Sequence, residues 1–205
     1  MLYELTTLSC PLLSLPAATA AALAWVGAPD AKGLLMGCWR TDIGTLGRVL
    51  VLRGFEMADA LAAERRRALL DVNPFNAGSV ITALTMESYA PFAFLPPVQP
   101  RALGAVYEFR TYHLKPGGLR PTLAGWERAI EPAKDYTAHL VINMYALDGA
   151  PPRIIHIWGF RDLAERTTLR TLAYGAGVWP PQGGPEEIIQ ATSTIALPDP
   201  SSPLH

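Results

Sequence analysis

A chain of 205 residues, half of them hydrophobic and 17% charged, has the make-up of a water-soluble globular protein with room for one large domain or two small ones. Seventeen basic residues against 18 acidic ones leave a formal net charge of −1. The one basic run, Arg65 to Arg67, reads as a solvated helix face too short to track a phosphate backbone, so no nucleic-acid partner is expected. Cys10 and Cys38 have no metal-ligand spacing and read as reduced packing thiols.

In chain order, Leu2 to Ser9 alternates as a strand. The apolar stretch "PLLSLPAATAAALAWVGA" follows. It is preceded by Glu4 rather than by a basic residue, and it falls short of about twenty unbroken apolar residues. It therefore reads as an Ala-rich helix near 16–27, with neither export nor a membrane span expected and a cytoplasmic location implied. Trp39 falls in a second strand and Val51 and Arg53 in a third. The segment from Gly47 runs on into a helix, and Glu87 sits in a fourth strand. Prolines 91, 96, 97 and 100 then punctuate a semi-rigid connector over 90–104.

Beyond it, "AVYEFRTYH" alternates as a strand. In "KPGGLRPTLAGWERAIEPA", Leu119, Leu123, Trp126 and Ile130 fall at helical spacing with Pro121 in the opening turn. "HLVINMYAL" and "RIIHIWGF" flank "DGAPP" as a hairpin. Asp162 caps a helix from Leu163 with Glu165 as capping-box partner, and "EIIQATSTIAL" forms a last strand after the loop "VWPPQGGP".

The chain reads twice. "LYELTTLS" matches "VYEFRTYH", and Arg48, Gly54 and Phe55 match Arg153, Gly159 and Phe160 in nearly the same register. Each copy has the strand-helix-strand-strand-helix-strand order of a split βαβ unit. The predicted fold is α+β: two tandem ferredoxin-like (βαββαβ) halves, over 1–97 and 98–205, packed sheet to sheet as an intramolecular α/β-barrel. Each sheet covers one face with its own helices and needs a partner for the other.

In a split βαβ unit the first and third strands are adjacent. Taking Ile155 and Ile157 as the helix side puts Ile154, His156 and Trp158 with Glu108, Arg110 and Tyr112, facing the barrel space. His156 can move a proton near neutral pH, Arg110 and Tyr112 can steady a carboxylate or enolate, and Trp158 supplies a flat wall. These three, His156, Arg110 and Tyr112, are the candidate catalytic residues. Glu108 and Trp158, with Glu4, Trp39, Arg53 and Glu87 from the first half, are candidate substrate contacts. The same pattern is also what a Glu108–Arg110 ion pair between sheets, with no ligand, would write, and a histidine flanked by isoleucines is often a satisfied core residue. Trp25 and Trp126 read as core, and Trp179 as a lid or a plug.

"VYEFRTYHLKPGGL", "RIIHIWGFRDLAERTTLR" and the terminal "SSPL" resemble the NIPSNAP family of the dimeric α/β-barrel superfamily. The family writes Tyr-Glu-Leu-Arg-Thr-Tyr, His-Leu-Trp, Asp-Leu-Ala-Glu-Arg and Ser-Pro-Leu. The first copy is a weaker member, with Thr6 and Leu8 for the family's Arg and second Tyr and with Val51, Leu52 and Arg53 for His-Leu-Trp. The resemblance implies the same fold. It leaves the reaction open, because the superfamily holds cofactor-free monooxygenases, polyketide and lactone cyclases or isomerases, haem enzymes and binding proteins.

The expectation is thus a cofactor-independent enzyme acting on a small apolar or aromatic carbonyl compound in the barrel. A binding or scaffold protein of the same architecture is the alternative. Haem or metal held by His156 or His113 ranks lowest, His113 falling on the helix side in this reading, and no metal site is expected. A homodimer is compatible with the fold.

Overall fold

The structure is a computed structural model that describes all 205 residues. Its eight strands are β1 (Leu2–Ser9), β2 (Leu34–Ile43), β3 (Arg48–Phe55), β4 (Ala83–Pro91), β5 (Val106–Leu114), β6 (Leu140–Ala146), β7 (Arg153–Phe160) and β8 (Ile188–Pro198). The helices are α1 (Leu15–Val26), α2 (Ala58–Leu70), α3 (Leu119–Ile130), the single-turn α4 (Lys134–Thr137) and α5 (Leu163–Gly175). Local chemistry explains several boundaries. The Asp162 carboxylate accepts from the Glu165 N–H at 2.7 Å to start α5, and Glu165 accepts in return from Arg161 N–H at 2.6 Å, one residue earlier than a standard capping box would have it.

All strand pairs are antiparallel. Each half sets its strands in the ferredoxin-like order, β4-β1-β3-β2 and β8-β5-β7-β6, and the pairing of β2 with β8 and of β4 with β6 closes the two sheets into one barrel. Closure within the chain satisfies the four edges that two separate sheets would leave open.

The barrel interior is a packed core. Tyr3 and Leu5, Leu50 and Leu52, Tyr107 and Phe109, Ile155 and Ile157 point inward around Trp39, all buried. Trp39 meets Tyr107 and Phe109 at ring-centroid distances of 5.3 and 5.2 Å. Eight strands enclose just enough room for side chains to fill. This corrects the face assignment from sequence. Ile155 and Ile157 look into the barrel, while Glu108, Arg110, Tyr112, Ile154, His156 and Trp158 lie on the outer face beneath α3, α4 and α5. His113, in phase with Phe109, likewise belongs to the barrel-axis face and not to the helix side. Every residue of β7 is buried, so apolar alternation could not tell the two faces apart.

The proline connector is more than a spacer. Val98 and the C-terminal Leu204 are part of the barrel core and close one end of it. Val98 N–H donates to the Tyr3 hydroxyl at 3.0 Å, Leu103 N–H to the His205 carbonyl at 2.9 Å, and Cys38 N–H to Ser202 Oγ at 3.0 Å. The arginine run also differs from expectation: Arg66 is exposed, but Arg65 bonds Glu4 and Asp148, and Arg67 bonds Glu64 and lies 3.8 Å over the Trp25 ring. Their carboxylate partners turn that helix face inward. Both cysteines are buried and free, and no helix is long and apolar enough to cross a membrane.

Candidate functional site

The cross-strand register of β5 and β7 places Arg110 opposite His156, Glu108 opposite Trp158 and Tyr112 opposite Ile154. These side chains share the outer face, where the apolar stripe of α3 and the loop after α5 cover them. Between sheet, helix and loop lies a cleft of about 190 Å³, below the range of drug-sized sites. Its floor is Arg110, Tyr112, Ile154 and His156, and its walls include Trp126 of α3 and Trp179 of the proline loop. The loop can lie this close because residue 125 is glycine; a Cβ there would collide with the Gln182 carbonyl oxygen.

Glu108 anchors the floor. Fully buried, it accepts from Arg166 Nε and NH2 at 2.8 and 2.6 Å, from Arg110 NH2 at 2.8 Å and from Ser193 Oγ at 2.6 Å. Burial alone would raise its carboxyl, but the hydrogen bonds from Arg166 and Arg110, the Arg110 charge and the Ser193 bond outweigh it and hold the group at about 2. With its lone-pair positions filled, Glu108 orients Arg110 and has none left for a substrate.

His156 is 1% exposed, and its ring is held edge-to-face by Tyr112 at 4.6 Å and by Trp126 at 4.9 Å. Trp158 Nε1–H donates to His156 Nδ1 at 3.3 Å. Nε2 is buried with no protein partner. Burial, then the nearby Arg110 charge, pushes the imidazole well below its ordinary value, against a smaller opposing effect of Glu108. The residue is therefore neutral at physiological pH. Burial raises the Tyr112 and Tyr136 phenols too, opposed by Arg110, so both keep their protons. The Tyr136 hydroxyl and the amide of Asn143, which is the cross-strand neighbour of His156, are also buried without protein partners.

The structure thus unites five of the residues singled out from sequence, Glu108, Arg110, Tyr112, His156 and Trp158, but outside the barrel and with Glu108 and Trp158 behind the cleft rather than on it. The four from the first half do not join them. Glu4 and Arg53 lie under α2 in an ion network of their own, Arg53 to Glu4 at 2.6 Å and to Glu64 at 2.7 Å. Trp39 is inside the barrel, and Glu87 sits at its rim, paired with Arg153 at 2.8 Å and the Tyr89 hydroxyl at 2.9 Å. The first half has no equivalent set, since Thr6, Leu8 and Val51 stand where the second has Arg110, Tyr112 and His156.

Sequence reasoning missed Arg166, Ser193 and Tyr136 and took Trp126 for plain core. Arg166 did carry a signal, as the last residue of the "DLAER" string. Trp179 is both wall and plug: 4% exposed, it packs on Trp126 at 4.8 Å and on Tyr136 at 5.2 Å.

The NIPSNAP family model matches residues 107–203, the half that carries the cleft. Human "Protein NipSnap homolog 2" is 25% identical over 184 residues, 83% of this chain and 62% of that protein, so the chain spans about three fifths of the length of this relative. An Agrobacterium tumefaciens NIPSNAP family protein of unknown function is 29% identical over 53% of this chain and 100% of that one, with a TM-score of 0.45. A Lactobacillus acidophilus protein provisionally described as a monooxygenase shares the fold, with a TM-score of 0.68 over 96% of this chain and 93% of that one at 9% identity. With its Tyr-Glu-Phe-Arg-Thr-Tyr strand, its His-Ile-Trp strand and its Ser-Pro-Leu tail in the places the barrel requires, the chain belongs to the NIPSNAP family.

Proposed function

We propose that the second half is a cofactor-independent enzyme site for a small apolar or aromatic carbonyl compound, held in the cleft between β5, β7 and α3 rather than in the barrel. Chemistry of the cyclase, isomerase or monooxygenase type requires a place where negative charge develops on oxygen, and a water-poor site with oriented donors provides it. The observation that carries the reading is the His156 ring, which lines an aromatic-walled cleft together with Arg110 while its buried Nε2 has no protein partner. Arg110 and Tyr112 stabilise the oxygen, His156 polarises it, and Trp126 and Trp179, packed on each other, give the flat body of the molecule an aromatic wall.

A non-catalytic binding protein is the second reading. It is favoured by the absence of a carboxylate from the cleft lining and by the neutral, poorly basic state of His156. Native mass spectrometry of the purified chain tests the site. A small bound mass retained by the wild type and lost from His156→Phe supports the cleft; retention by His156→Phe with loss from Trp39→Phe moves the ligand into the barrel and defeats it. A retained molecule that is never turned over, tested against its carbonyl analogues, selects the binding reading.

A further inference from the structure

Resting on that reading only for the place of the site, we infer that Trp158 is a positioning residue that locks His156 as its Nε2–H tautomer, so that the cleft takes ligands through an acceptor oxygen: a carbonyl, enolate or carboxylate. An indole nitrogen can only donate. With Trp158 Nε1 at 3.3 Å from His156 Nδ1, Nδ1 must be the acceptor, and the proton of the neutral ring sits on Nε2, the buried nitrogen without a protein partner.

Neither ring is free to turn away. Trp158 is fully buried, stacked on Tyr136 at 4.5 Å and 19° and on Phe160 at 6.4 Å and 10°, with Trp179 against its edge at 5.8 Å. His156 is clamped edge-to-face between Tyr112 and Trp126. The charged groups facing the imidazole are Arg110, directly opposite on β5, and Glu108 one pair along. Its other neighbours are uncharged: Tyr112 from β5, Asn143 from β6 and Trp126 from α3. The cleft lining itself holds one cation, Arg110, and no carboxylate, so a ligand ammonium meets a like charge and no opposite one, whereas a ligand oxygen finds N–H donors on Arg110 and His156.

The test is a long-range ¹H–¹⁵N correlation spectrum of the histidine rings in the ligand-free, ¹⁵N-labelled full chain, with His156 identified by its loss in His156→Gln. The expected result is a single Nε2–H tautomer between pH 5.5 and 8. Trp158→Phe removes the donor while keeping one aromatic ring in the stack; it is expected to lower the tautomer ratio about five-fold, the weight of one neutral hydrogen bond. Added benzoate and acetophenone are expected to shift the Nε2 resonance, and benzylammonium to leave it in place.

An Nδ1–H tautomer or an imidazolium at pH 7, or an unchanged ratio in Trp158→Phe, overturns the lock. If Trp158→Phe does not fold, a through-hydrogen-bond correlation between Trp158 Nε1–H and His156 Nδ1 in the wild type decides: its presence supports the lock and its absence overturns it. A response to benzylammonium with none to either oxygen probe overturns the ligand class. Because the tautomer is read without ligand, a cleft with no catalytic role would leave the lock standing and defeat only the proposed enzyme.

Discussion

Replacing Glu108 by glutamine keeps shape and volume and removes one buried charge. Arg166, whose side chain is 21% exposed, can swing toward water; Arg110, at 4%, cannot. The loss can be estimated in two ways. A carboxyl held at about 2 against an ordinary 4.5 contributes about 3 kcal/mol at neutral pH, at about 1.4 kcal/mol per pH unit. Breaking a buried ion pair from one side independently costs about 3–5 kcal/mol. The sign follows from the depressed value: the contribution is complete above the unfolded group's 4.5 and is lost as pH falls toward 2. Urea unfolding of wild type and Glu108→Gln should therefore differ by about 3 kcal/mol at pH 7, and by about 1 kcal/mol less at pH 3.5. A difference under about 1 kcal/mol at pH 7, or one that ignores pH, would refute the claim that Glu108 holds Arg110 in place.

Three other outcomes are expected. Trp39→Ala should cost about 3–5 kcal/mol by emptying the barrel core. Trp39→Phe should cost far less, because Trp39 Nε1 has no partner to lose, and Trp39→Phe should leave ligand retention in the cleft unchanged when both are followed by urea unfolding and native mass spectrometry. Ser202→Ala strips the acceptor from the buried Cys38 N–H and should cost about 1–3 kcal/mol in the same melts. His156 stays neutral in the fold while the unfolded ring protonates near 6.5, so wild-type stability should fall below that pH by up to about 1.4 kcal/mol per unit; His156→Gln should lack that part of the slope in urea melts from pH 7.5 to 5.

Much of the fold was legible because duplication, alternation and caps act locally. The split βαβ order forces β5 beside β7, which is enough to put Arg110 and His156 on one face of neighbouring strands; the register that sets them directly opposite is seen only in the structure. Which side of the sheet that pair occupies was not legible. Both faces of β7 are covered, one by the barrel core and the other by helices, so Ile155 and His156 are equally buried and the apolar stripe pointed the wrong way. The walls were hidden for another reason: Trp126 and Trp179 reach His156 only after a helix and a proline loop have folded over the strand, and no spacing in the chain records that approach. Glu4 and Arg53 looked like site residues because they repeat the positions of Glu108 and Trp158, yet α2 answers them with Glu64 and Arg65 and seals that half with ion pairs.

The central claim is that ligand chemistry belongs to the outer, helix-covered face of the second half. A crystal structure of the full chain soaked with acetophenone tests it most directly. The account predicts density for the ring in the cleft against the wall formed by Trp126 and Trp179, with the ketone oxygen within hydrogen-bond reach of His156 Nε2. Density inside the barrel among Trp39, Tyr107 and Phe109, or a ring in the cleft with its oxygen turned away from His156 and Arg110, would contradict it.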